Sequence, residues 1–184
     1  MSIGLPFDDV LRAAQAGASW AKTRLYESLA PAVAGYARAQ GVPDPADVTS
    51  DVFVAVLSGL GRFTGSDEQF RSWVFTIAYR KVADAWRSAS RPGPGRATSV
   101  AVAPNAEPAA EDQALARLGG ARVEALLATL TPDQRQVLAL RVVADLSLEE
   151  VAKVVGKPVG AVKSLQHRAL ASLRRRIESE AVSR

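Results

Sequence analysis

Hydrophobic positions recur at helical spacing in both halves of the chain and almost nowhere alternate with polar ones, so helices are predicted and strands are not. Apolar residues return every three or four positions from Phe7 to Leu29, and Pro31 suits the first turn of a following helix. Pro43 and Pro45 break the chain. Asp47 can then cap a helix in which Val48, Val52, Val56 and Leu60 form one stripe, with Phe53 and Leu57 beside it. Gly59, Gly61 and the run from Thr64 to Asp67 mark a loop, and the longest helix of this half is predicted over 68–88. Phe70, Val74, Ile77, Lys81 and Ala85 group on one side of that helix. Phe75, Tyr79, Val82 and Trp86 group about 120–140° away, as in a helix inserted among neighbours.

The second half carries a tighter signature. A short helix over 123–130 gives way to Thr131 as N-cap and Pro132 at the first helical position of the next, which is predicted to run to about Ala144. Ser147 and Glu150 form a capping box, and Leu148, Val151, Ala152 and Val155 line the inner face behind it. Gly156-Lys157-Pro158 is the turn into a helix over 159–177, with Val162, Leu165, Ala169, Leu173 and Ile177 near one face. Small Ala152 where two helices cross, Gly156 for a positive φ and Val162 directed inward make this a helix-turn-helix. The last helix carries Lys163, Arg168, Arg174, Arg175 and Arg176 with no acid before Glu178. Its first two turns suit a major groove and its basic end the phosphate backbone. The plainer reading is a helical hairpin with solvated arginines.

Composition separates the halves. Four of the ten prolines, and no Leu, Ile, Phe, Tyr or Trp, fall between Ser88 and Asp112. Such a stretch buries too little apolar surface to offset its chain entropy and reads as a flexible linker. The expected organisation is all-α, two small helical domains over 6–89 and 114–178 joined by a linker over 90–113. With 184 residues and 48% hydrophobic content, two small domains are affordable by size. The chain has no cysteine, which excludes disulfides, Cys-based zinc sites and thiol nucleophiles, and its one histidine leaves little for a Ser-His-Asp arrangement. No secretion signal follows Met1, and no apolar run reaches the roughly 20 residues that span a bilayer, so a cytoplasmic protein without membrane insertion is expected. Net charge is only +4. It is concentrated: from Arg71 to Arg96, Arg71, Arg80, Lys81, Arg87, Arg91 and Arg96 face one acid, Asp84, interleaved with aromatics. Cations neutralise phosphates and aromatic faces stack on unpaired bases, although a solvated face and core packing are the commoner uses of such residues.

The run from Leu130 to Leu138, then Leu146 to Ala152, then Pro158 to Ser164, resembles region 4 of bacterial sigma factors, and more narrowly the extracytoplasmic-function (ECF, group IV) class. Asp47-Val48-Thr49-Ser50-Asp51-Val52-Phe53 resembles the region 2.2 helix, and Phe70 to Ala78 with Asp84 resembles region 2.3. Both motifs stand in the family's order, and only the linker is unmatched. Lys81 to Ala85 and Gln166 to Leu170 also look like the mycobacterial sigma-D branch.

The resemblance implies a protein that makes no covalent change and needs no cofactor or metal. Such a protein joins the clamp and flap of core RNA polymerase, selects promoter DNA and promotes strand opening. It implies polymerase binding by Asp47, Val48, Asp51, Phe53 and Val54, an acidic rim with an apolar anchor. It places recognition of the −10 element on Arg62, Phe63 and Thr64 of the loop and on Arg71, Trp73, Arg80, Lys81 and Arg87. There a flipped base costs a few kcal/mol, offset by pocket contacts. Trp73 is equally a core residue or a wedge. The −35 element falls to Lys157, Val159, Gly160, Lys163, Ser164, His167 and Arg168, since a cation can bridge guanine O6 and N7. Arg80 departs from the family's common Asn and Leu165 from its common basic residue. An anti-sigma factor is a further implied partner. The alternative is a two-domain helix-turn-helix transcriptional regulator; a hydrolase or nuclease is poor, because the acidic pairs Asp8-Asp9 and Glu149-Glu150 diverge on a helix.

Overall fold

The computed structural model describes residues 6–89, 120 and 122–182; the expected linker, 90–113, lies outside the described residues. All regular structure among them is helical: α1 (Phe7–Gln15), α2 (Ser19–Ala39), α3 (Pro45–Gly59), a 3-10 turn (Leu60–Arg62), α4 (Asp67–Ala89), α5 (122–128), α6 (Pro132–Val142), α7 (Leu148–Val155) and α8 (Val159–Val182). Helices α1–α4 form one helical domain and α5–α8 the other. No helix of the described residues is long and apolar enough to cross a membrane.

Local chemistry explains most boundaries and corrects several expectations. The apolar pattern over 7–29 is two helices, parted at Ala16–Ala18 where Gly17 takes φ +96°. Pro31 lies inside α2 rather than opening a helix. It is exposed, as is Glu27, whose carbonyl loses its partner there, so water can replace the missing bond. Asp44, not Asp47, caps α3: its Oδ1 accepts from the Asp47 N–H at 2.9 Å, and Pro45 stands at the first helical position. In α4 the two expected stripes merge, because Ala78 lies between them and is buried with Phe70, Val74, Phe75 and Val82; Trp86 is exposed.

The helix-turn-helix follows the expected plan except on α7, where Val154 is buried with Val151 and Ala152 while Leu148 and Val155, expected on that inner face, are half-buried at its edges. Ser147 and Glu150 form the capping box, Gly156 ends α7 at φ +66°, and Val162 is fully buried. Thr131 adds a second capping box with Gln134. Arg135 turns back to donate to the carbonyls of Leu127 at 3.0 Å and Ala128 at 3.2 Å, satisfying acceptors that the end of α5 leaves open. Ile177 departs from its expected face and is exposed.

The two domains are packed together, which their separation by a linker did not foretell. Helix α4 rests on α7 and α2 on α6, and one apolar core runs from Val10 through Phe75 to Leu140 and Val151. At the junction Tyr36 is fully buried, edge-on to Phe75 at 5.8 Å, and its hydroxyl accepts from Gln136 Nε2 at 3.2 Å. Burial holds this hydroxyl well above the usual phenol range. The bond from Gln136 partly opposes that shift, and the neighbouring Tyr79 adds to it. A raised phenol pKa means the folded chain keeps a proton that the unfolded chain releases. The stability tied to it is complete below about pH 10 and is lost as pH climbs toward the folded value. In an ultraviolet phenolate titration, one of the three tyrosines should therefore resist ionisation until the protein unfolds, and Tyr36→Phe should remove that resistant step. Its persistence in the variant would refute the assignment.

Candidate nucleic-acid interface

At 100° per residue, Lys163, His167, Gly160, Ser164 and Arg168 fall within an arc of about 140° on α8. The opposite side, Val162 and Ala169, is buried against the rest of the domain. All five residues of the arc are exposed, as is Val159 at the helix start. Ser164 Oγ donates to the Gly160 carbonyl at 2.9 Å and Arg168 Nε to the Ser164 carbonyl at 3.3 Å, so both side chains lie along the helix surface. Lys157 sits in the preceding turn, its ammonium 3.0 Å from Asp133 Oδ2. Packing of one face thus presents the other as a basic ridge.

The second surface surrounds the 3-10 turn and the loop before α4. Arg62 and Thr64 are exposed. Phe63 is half-buried, stacked on Trp73 at 5.1 Å and edge-on to Phe70 at 5.2 Å. Trp73 is itself half-buried in this aromatic group, so one ring has both a packed and an open side. Of the cations on α4, Arg80 is exposed and Arg87 is exposed while pairing with Asp84. Arg71 is half-buried at the domain junction, with Nη1 3.5 Å from the Ala144 carbonyl. Lys81 reaches Asp51 Oδ2 at 3.4 Å, joining α4 to α3; so exposed a pair adds little stability.

On α3 the structure corrects the apolar anchor. Val48 and Phe53 point inward, Phe53 edge-on to Tyr26 at 4.6 Å, because they share the stripe that packs against α2 and α4. The outward stripe runs Asp47, Asp51, Val54 and Ser58, with Val54 65% exposed and Leu57 44% exposed beside it. An acidic edge with an aliphatic neighbour survives; its apolar part is Val54 and Leu57.

Sequence reasoning missed two features. Tyr36 and Gln136 stand 100 positions apart and carry no local signal. Gln15 closes α1 and donates from Nε2 to the carbonyls of Leu60 at 3.0 Å and Phe63 at 2.7 Å.

Residues 25–92 match the family model described as Sigma-70 region 2, and residues 126–183 match Sigma-70, region 4. The chain is 33% identical over 175 residues to the ECF RNA polymerase sigma factor BldN of Streptomyces coelicolor, a match covering 94% of this chain and 66% of that one. It is 35% identical over 177 residues to the ECF RNA polymerase sigma factor SigD of Mycobacterium tuberculosis, covering 93% and 84%. The solved structure of CnrH in complex with the cytosolic domain of CnrY superposes with a TM-score of 0.68 at 30% identity, covering 92% of this chain and 96% of that one.

Proposed function

The chain belongs to the sigma-70 family, in its extracytoplasmic-function group, and on that premise we propose that it is an alternative sigma factor acting in the cytoplasm. It binds core RNA polymerase, reads the −10 and −35 elements and promotes strand opening, without itself catalysing a covalent change. The observation that carries this is the order of the two matches, region 2 at 25–92 and region 4 at 126–183, with an exposed basic ridge on the region 4 helix. A regulator carrying only a helix-turn-helix is not favoured, since it leaves the region 2 match without a role. The similarity to SigD supports the sigma-D-like branch.

The units are residues 6–89 for polymerase and −10 binding, 90–113 as tether, and 114–178 for −35 binding. Lys157, Val159, Gly160, Lys163, Ser164, His167 and Arg168 meet the −35 element. Arg62, Phe63, Thr64, Arg71, Trp73, Arg80, Lys81 and Arg87 meet the −10 strand. Asp47, Asp51 and Val54 meet the polymerase clamp.

These roles cannot be filled together by the docked form. The two elements lie about 25 base pairs apart, roughly 85 Å at 3.4 Å per step. A compact chain of this length has a radius of gyration of about 16 Å and is about 40 Å across. Docking also holds Arg71 at the domain junction. The domains must part when both elements are read, and a tether then raises the effective concentration of the second reader. The chain superposes on CnrH, solved in complex with the cytosolic domain of CnrY, which supports an anti-sigma factor as a partner of this chain. The test is direct. Added to core polymerase, the chain should direct new, promoter-dependent transcript starts; starts identical with and without it would end the reading.

A further inference from the structure

Helix α1 lies ahead of the region 2 match, which begins at residue 25, and carries none of the residues assigned above to DNA or polymerase. It is nevertheless firmly seated. Val10, Leu11 and Ala14 are buried, and Phe7 packs on Phe70 with ring centroids 5.6 Å apart. Its final residue, Gln15, reaches across to the loop that precedes α4. The Gln15 amide has two N–H donors, and both have acceptors: the Leu60 carbonyl at 3.0 Å and the Phe63 carbonyl at 2.7 Å.

Those carbonyls bracket the 3-10 turn. Phe63 N–H donates to the Leu60 carbonyl at 3.0 Å, and Phe63 itself is extended. One side chain therefore fixes the turn and the direction in which the loop leaves it. That direction seats Phe63 against Phe70 and Trp73. At its far end the loop is held from within α4, where Gln69 Oε1 accepts from Ser66 N–H at 2.9 Å and Ser66 Oγ from Gln69 N–H at 3.3 Å. Gln15 is the tie from a separate, packed helix. It also lines an open cleft of about 390 Å³ with Arg12, Phe63 and Thr64.

We propose that Gln15 is a positioning residue for capture of the −10 strand, holding Arg62, Phe63 and Thr64 in place through the Leu60 and Phe63 carbonyls. This rests on the region 2 reading above. Without the clamp the loop must be ordered at the moment of DNA binding, and the lost preorganisation weakens strand capture. Core polymerase binding, on α3, and −35 binding, on α8, do not pass through the loop.

The experiment uses holoenzyme assembled from core polymerase and the full chain, with fluorescence anisotropy on a single-stranded −10 oligonucleotide and a scrambled control. Both oligonucleotides derive from a promoter mapped by transcript starts. Gln15→Met keeps the length and removes the donors, and Gln15→Lys restores a donor one bond farther along the side chain. Gln15 is itself exposed, so losing its two hydrogen bonds at the low end of about 0.5 kcal/mol each should cost Gln15→Met about fivefold in selective affinity. Gln15→Lys should recover most of that loss, and co-elution with core polymerase and binding to a −35 duplex should match wild type in both. Hydrogen exchange at the Phe63 amide should quicken in Gln15→Met alone. Unchanged oligonucleotide selectivity in Gln15→Met overturns the proposal, as does an equal loss of polymerase and −35 binding, which marks a merely structural residue. A wild-type holoenzyme indifferent to the −10 oligonucleotide is a separate result, seen before any variant is made, and overturns the region 2 reading along with the clamp.

Discussion

Exchanging Lys163 and Arg168 together for glutamate is expected to lower transcription from a −35-dependent promoter by at least about a hundredfold, since each good contact to a base is worth roughly 1–3 kcal/mol and reversal adds repulsion. Both side chains are exposed on α8, so helix content and thermal stability should stay close to wild type. Co-elution with core polymerase should also persist. The salt dependence of promoter binding should flatten by about one unit of slope for each phosphate contact removed. This last measurement separates the two ways a cation contributes. A loss of affinity shared by every promoter with a flatter salt slope marks phosphate contact, whereas relaxed discrimination at one position marks a base contact. Transcription equal to wild type from a promoter that needs its −35 element would show that this ridge is not the reader.

The second large effect concerns the junction between the domains. A Cβ built on Gly35 would lie 3.1 Å from Val143 Cγ1, across the contact between α2 and the second domain. Gly35→Leu should therefore wedge the domains apart. Within α2 the same change is favourable by somewhat under 1 kcal/mol, because glycine is a poor residue for a helix interior. Small-angle scattering should report a clear rise in the radius of gyration above the roughly 16 Å of a compact chain. If only the open form engages core polymerase and both promoter elements, apparent affinity is the intrinsic value multiplied by the open fraction. Each 1.4 kcal/mol of docking removed then tightens polymerase binding about tenfold, until the open form predominates. The expected variant is more extended, no less helical and a better activator of transcription than wild type. A variant that opens without binding polymerase more tightly would show that docking does not limit assembly. One that stays compact would show that the α2–α6 contact yields around the added side chain.

These predictions differ in how far the sequence alone could have reached them. The α8 ridge was legible because caps, turn and helical period act within a few residues of one another: Ser147 with Glu150, Gly156, and the repeat that turns Val162 inward and Lys163 outward. The sigma-factor resemblance then attached DNA elements to that ridge. The α3 surface was half legible. The acidic residues were found, but periodicity offered several apolar neighbours, and only packing against Tyr26 and the adjoining helices showed that Val48 and Phe53 point inward and Val54 outward. Boundaries slipped where two local signals competed, as when Asp44 with Pro45 capped α3 ahead of Asp47.

Helix formation, the turn and the division into two helical domains were decided by the sequence itself, because they depend on backbone preferences and on interactions a few residues long. Gln15 on its two carbonyls, Gln136 on the Tyr36 hydroxyl and Gly35 against Val143 join residues about 45 to 108 positions apart, and no period or cap foretells such pairs. The first exists because α1 packs beside the 3-10 turn, and the other two because closing the apolar faces of α2, α4, α6 and α7 over one another removes more hydrocarbon from water than either domain can alone, so that the Tyr36 hydroxyl caught at that closure must find its partner there.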